Sequence, residues 1–185
     1  AKVFSVGHIN PCCIKILKKP EHQTVQNNYS FEHEFSFQSE VSNFSDPDGV
    51  QIPKVLAGYV TDDGLEFFFM DMVKGNSLRQ IFNGEANLPD NFDMDMFFSK
   101  VEKFIERFNS DGYYHRDLHA GNIMVDEMGN PWIIDFGSSI HQPGSSEDIF
   151  NEQLPDGQAV HFTSDESSLR KVIRETARHL TNLNK

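Results

Sequence analysis

The sequence predicts an α+β fold in two lobes: a small antiparallel sheet with one helix in front, and a reduced helical lobe behind. Three observations predict it. Short β-rich runs crowd about the first 70 residues, helical periodicity takes over afterwards, and 185 residues suffice to bury the core of one domain or a small pair. The lobes are placed at 1–72 and 73–185, together forming one domain.

Residues 1–6 and 12–17 read as β-rich strands separated by a turn around Gly7-His8-Ile9-Asn10-Pro11. A helix is expected over 28–43, with apolar side chains at Tyr29, Phe31, Phe35 and Val41, and Phe44 just beyond. Asp46-Pro47-Asp48-Gly49 is a turn, and 54–60 and 65–72 form a strand pair around Asp62-Asp63-Gly64. A long helix follows at 92–110, where Phe97, Val101, Phe104, Ile105 and Phe108 recur at helical spacing and make one apolar stripe. Strands at 123–125 and 132–134 flank the turn Asp126-Glu127-Met128-Gly129-Asn130. The last helix is expected to begin near Thr163, whose hydroxyl caps it while Glu166 reaches back. Leu169, Val172, Ile173, Thr176 and Leu180 form its buried face.

Composition narrows the function classes. With 28 acidic residues against 16 basic the net charge is −12, which argues against a nucleic-acid partner, since phosphate backbones select Lys/Arg stripes. Seventeen phenylalanines and a 38% hydrophobic fraction argue for a folded globule. The two cysteines, Cys12 and Cys13, are adjacent and offer neither a bridge without strain nor metal-ligand spacing, so a reducing, cytoplasmic compartment is expected. No apolar run reaches the roughly 20 residues that span a bilayer, and no secretory signal opens the chain.

The chemistry concentrates in Tyr114-His115-Arg116-Asp117-Leu118-His119-Ala120-Gly121-Asn122-Ile123, followed by Ile134-Asp135-Phe136-Gly137. A strand hairpin here brings the carboxylates of Asp117 and Asp135 and the amide oxygen of Asn122 to one end. Phosphoryl transfer needs such a set: oxygen ligands for Mg²⁺ and a carboxylate that orients the attacking hydroxyl. The pattern resembles the protein kinase superfamily, whose catalytic loop reads His-Arg-Asp-x-x-x-x-Asn and whose metal loop reads Asp-Phe-Gly.

The resemblance implies further assignments. Asp117 would be the catalytic base, with Asn122 and Asp135 as metal ligands, and ATP with Mg²⁺ (or Mn²⁺) as cofactors. Cys12-Cys13-Ile14-Lys15-Ile16-Leu17 is similar to the strand motif Val-Ala-Ile-Lys. Lys15 would hold the α/β-phosphates and Cys13 would cover the adenine. Glu34 is the preferred ion-pair partner of Lys15, with Glu32 and Glu40 as rivals. The stretch from Phe69 to Leu78 resembles the family hinge, with Met70 as gatekeeper and the backbone of Asp71 and Val73 at the adenine edge. Asp165-Glu166-Ser167-Ser168-Leu169 resembles the start of the family's central helix, where Asp165 would hydrogen-bond the catalytic-loop backbone. Read alone it is a good helix N-terminus, with acids at the positive end of the dipole.

Three departures qualify the resemblance. No Ala-Pro-Glu occurs between Asp135 and Asp165; the segment 141–160 is polar instead, and the chain ends about twenty residues into the last helix. Arg116 stands where a loop phosphate docks in regulated members, a structural role being the alternative. No Gly-x-Gly-x-x-Gly precedes Lys15, so that loop is expected upstream of residue 1. His119 replaces the usual Lys, and His119-Ala120-Gly121-Asn122 is similar to choline and aminoglycoside phosphotransferases; His119 would either contact the γ-phosphate or hydrogen-bond within the loop. The architecture is similar to minimal effector kinases that pathogenic bacteria inject into host cells. The expectation is a minimal Ser/Thr protein kinase, its partner a protein substrate, a host protein or an activator. The alternatives are a small-molecule kinase and a kinase-shaped binding module.

Overall fold

Residues 12–16 alternate across a pleated strand, and everything in front of the site is built around them. The computed structural model describes residues 2–6, 12–16, 31–144, 149–153 and 159–183. The expected turn at 7–11, Leu17, the helix start at 28–30 and the stretch Pro155-Asp156-Gly157 lie outside them. Strands β1 (Lys2–Val6), β2 (Cys12–Ile16), β3 (Val55–Val60) and β4 (Glu66–Asp71) make an antiparallel sheet in the order β1-β2-β4-β3. The β2–β4 register sets Cys13 opposite Met70 and Lys15 opposite Phe68. A one-residue slip would turn Lys15 to the other face.

Helix α1 (Phe31–Val41) lies across this sheet. Phe31 and Phe35, one turn apart, stack at 5.7 Å and meet Phe68 at 6.4 and 6.1 Å. Gly58 makes room for them, because a Cβ there would come within 2.6 Å of the Phe35 ring. The other side of α1 turns toward the helical lobe, where Phe37 packs on Tyr113 and Phe136 at 6.0 and 6.4 Å. The helix predicted to Asn43 ends at Val41 and tightens into a 3₁₀ turn, Ser42–Phe44.

Behind the sheet come β5 (Gly75–Ser77), α2 (Leu78–Phe82), α3 (Met94–Ser110), β6 (Tyr113–Tyr114), β7 (Ile123–Asp126) and β8 (Pro131–Ile133). They are followed by β9 (Ile140–His141), β10 (Asn151–Gln153), β11 (Ala159–His161) and α4 (Asp165–Leu183). The molecule is thus α+β. The predicted stripe of α3 is buried throughout, joined by Phe98, and Asp93 caps the helix by accepting from Met96 N at 2.9 Å. The predicted turn after β7 is tied by Asp126, whose Oδ1 accepts from Met128 N and Asn130 N at 2.9 and 2.8 Å. No helix among the described residues is long and apolar enough to cross a membrane.

One local expectation is corrected. The last helix begins at Asp165 and its cap is Ser164, not Thr163: Ser164 Oγ accepts from Ser167 N at 3.3 Å and its carbonyl takes the first helical bond, from Ser168 N at 2.9 Å. Two hydroxyls stand side by side, and the later one fits the first turn. The polar segment 141–160 contains β10, which pairs antiparallel with β11.

Candidate active site

Lys15 is the centre of the front half of the site. It is 5% exposed, and its ammonium pairs with Glu34 of α1 and with Asp135 Oδ1 at 2.6 Å. Of the three carboxylates that competed for it, Glu34 is buried at 6% while Glu32 and Glu40 are exposed. Burial alone would lower the Lys15 pKa, but Asp135 and Glu34 outweigh it and hold the ammonium above its ordinary value. Burial likewise opposes ionisation of Asp135, and the Lys15 ammonium reverses this, keeping its carboxyl below the usual carboxylate range.

Asp135 adopts φ 65°, a conformation rare for a residue with a side chain. Its neighbour explains how this is held. Phe136 is fully buried against Phe108 at 6.2 Å and His115 at 4.9 Å, so the ring is locked inward while the Asp135 carboxylate turns out to the cleft.

The loop that carries His115 to Asn122 is organised from beneath. Asp165, completely buried at the start of α4, accepts from His115 N and Arg116 N, both at 2.8 Å. With its amide turned to donate, Asn109 adds bonds to Tyr113 O at 2.9 Å and Asp165 Oδ2 at 3.1 Å. His115, also fully buried, accepts from Asp117 N at Nδ1 and therefore donates from Nε2 to Ile134 O at 3.1 Å. One imidazole thus ties the loop to the residues that lead from β8 to Asp135. Arg116 has φ 64° and lays its guanidinium over the Phe162 ring at 3.6 Å.

Held this way, the Asp117 side chain is half exposed, and Asn122 Nδ2 donates to Asp117 O at 2.9 Å. That commits the Asn122 nitrogen and leaves its oxygen as the remaining polar atom. His119 Nδ1 accepts from Gly121 N at 2.9 Å, and its Nε2 lies 3.9 Å from Asp117 Oδ1.

Two cavities are lined by residues of this loop. The first, about 380 Å³, is mostly apolar and is lined by Cys13, Lys15, Met70, Asp71, Val73 and Asp135 among others. Burial and the adjacent Cys12 push the Cys13 thiol up, which makes it a poor nucleophile. The second, about 360 Å³, is lined by Asp117 and His119 together with Arg79, Arg116, Lys171 and Glu175.

Six predicted residues therefore share one cavity, Glu34 stands behind Lys15, and Asp117 and His119 face the other side. The sequence reading missed Met124 and Ile134, which line the first cavity, and Arg79 and Lys171 in the second. Met124 was findable as the half-buried member of a strand whose neighbours Ile123 and Val125 are buried. Arg79 had no local signal, because only the folded loop brings its Nε within 3.3 Å of a Cβ position on Gly121.

Comparison with known proteins agrees with this geometry. The family model described as "Protein kinase domain" matches residues 1–157, and the chain belongs to that family. It is 28% identical over 155 residues, 83% of the chain, to a probable serine/threonine-protein kinase of Clostridium perfringens, of which it covers 21%. It is also 28% identical over 92 residues, 48% of the chain, to 3-deoxy-D-manno-octulosonic acid kinase of Xylella fastidiosa, covering 34% of that enzyme. The chain thus spans about a fifth to a third of these relatives. In fold it is similar to a chain in the crystal structure of the yeast RNA Pol II CTD kinase complex, with TM-score 0.53 and 18% identity over 77% of this chain and 44% of that one.

Proposed function

We propose that the protein is an ATP- and Mg²⁺-dependent phosphotransferase acting on protein Ser/Thr hydroxyls, its own included. The observation that carries this reading is Lys15, clasped between Glu34 and Asp135 at the wall of an apolar cavity. An ammonium fixed from two sides offers the same geometry to every incoming triphosphate, and the apolar wall suits a purine. The backbone of Asp71 and Val73 would meet the adenine edge, with Met70 and Cys13 bounding it. The proposed lobe boundary at residues 72 and 73 falls in this same hinge.

The donor set fits magnesium. Asp135 offers a carboxylate and Asn122 an amide oxygen, hard ligands of the kind Mg²⁺ takes beside phosphate oxygens and water. Among the described residues no group of three or more His, Cys, Asp or Glu forms a metal cage. When bound, the metal neutralises charge on the transferring phosphate. Asp117 orients the acceptor hydroxyl and takes its proton, while Asp165 and His115 hold the loop in place for it.

A second reading, a small-molecule kinase, is favoured by the likeness to the Xylella sugar-acid kinase and by His119-Ala120-Gly121-Asn122. The test is incubation with γ-labelled ATP and Mg²⁺, with a generic protein substrate in one arm and sugars, choline and aminoglycosides in another. Label on protein that disappears in Asp135→Ala supports the main reading, and label on a small molecule supports the second. Full transfer by Asp135→Ala would overturn both.

A further inference from the structure

We propose that the cavity beside Asp117 selects acceptors that carry an anionic group, a carboxylate or a phosphate, next to the hydroxyl to be phosphorylated. The proposal rests on the phosphotransferase reading above. In that reaction the acceptor oxygen bonds to the γ-phosphorus, the bond from that phosphorus to the β,γ-bridging oxygen breaks, ADP leaves, and the hydroxyl proton passes to Asp117.

The charge of this cavity runs against that of the whole chain. At a net charge of −12 an average surface patch is acidic, yet this wall holds Arg79, Arg116 and Lys171 against Asp117 and Glu175, with His119 and His161 beside them. These cations are not equivalent. Arg116 is stacked on Phe162 and held by the loop. The side chains of Arg79 of α2 and Lys171 of α4 are exposed, and among the described residues neither side chain makes an ion pair or a hydrogen bond.

Two long cations converge from separate elements on one cavity with Asp117, and among the described residues Glu175 is the one carboxylate besides Asp117 that lines it. Left alone they repel each other and the approach of any basic acceptor. An acceptor anion removes that repulsion and gains charge-assisted hydrogen bonds from both. Gly121 lets the His119 ring and the Arg79 side chain lie close to the loop, since a Cβ there would come within 2.8 Å of the ring and 3.3 Å of Arg79 Nε.

The experiment gives the full chain four probes with γ-labelled ATP and Mg²⁺. They are matched peptides whose single serine is flanked by glutamates or by lysines, and gluconate against sorbitol. A preference of about tenfold or more for the glutamate peptide, the size expected for one charge-assisted bond, supports an acidic polypeptide acceptor. The same preference for gluconate supports a small hydroxy acid. In either case Arg79→Gln and Lys171→Gln should each shrink the ratio several-fold, and added salt should shrink it further.

Equal use of the two peptides and of the two polyols, or preference for the lysine peptide, would overturn the inference and leave the phosphotransferase reading standing. An unchanged ratio in both Gln variants, checked to be folded, would overturn it too. Transfer to none of the four by a chain that binds ATP would overturn the reading itself.

Discussion

Asp165 makes the most specific residue-scale prediction. Its two oxygens each take one backbone N–H from a loop whose φ at Arg116 is 64°. Asp165→Ala strands two buried donors at about 1–3 kcal/mol each, so stability in urea should fall by several kcal/mol and transfer should fall with it. Asp165→Asn keeps one oxygen and should lie between. Lys15→Met is a second case: it leaves Glu34 buried and uncompensated, a loss of about 3–5 kcal/mol, which Glu34→Gln in the same chain should partly restore. If the double variant is no more stable than the single one, the pair does not couple as described. The residues of these contacts were legible in the chain because strand, helix and loop motifs fix their spacing. The partners that line cavities from elsewhere, such as Arg79, were not, since only tertiary packing brings them in.

At the scale of elements, the helix starts and the close approaches carry the tests. Ser164→Ala removes the cap of α4 and should cost about 1 kcal/mol, while Thr163→Ala should cost less, and thermal melts of the two separate them. The pattern Thr163-x-x-Glu166 competed with Ser164-x-x-Ser167 one step along, and boundary arguments from sequence do not resolve a single residue. Helix α2 went unnoticed because five residues are too short for periodicity to register. Its capping box was nevertheless readable in Ser77 and Gln80, and the structure contains both of its bonds. Gly75→Ala should be worse than any cap variant: a Cβ there would lie 2.2 Å from Val125 O, and neither backbone can move without parting β5 from β7.

For the molecule as a whole, the front sheet and the helical lobe are joined electrostatically as well as by packing. Lys15 belongs to the sheet and Asp135 to the loop that follows β8, so their bond at 2.6 Å spans the cleft. The Asp135 carboxyl is held below its ordinary value, so its contribution to stability is present above about pH 4 and is lost as pH falls through the depressed value. Lys15 is raised, so its contribution is complete below about pH 10 and is lost only above that. The stability difference between the parent and Asp135→Asn should therefore be flat from about pH 5 to 9 and shrink in acid. A difference that grew in acid would reverse the sign of the coupling.

The two-lobed α+β plan was readable from periodicity alone, and the placement of the site between the lobes followed from the motifs. The division of that site into an apolar cavity and a cationic one was not readable. The basic side chains that make the second are scattered through α2, the loop before β7 and α4 of an acidic chain.

The central claim is that Asp117 serves transfer rather than nucleotide binding, and one paired measurement tests it most directly. ATP affinity and the rate of γ-phosphate transfer are measured side by side for the parent and Asp117→Asn. ATP affinity should agree within about twofold while transfer falls by about 10²–10⁴, the usual worth of a positioned base. Transfer by Asp117→Asn at the parental rate would contradict the claim.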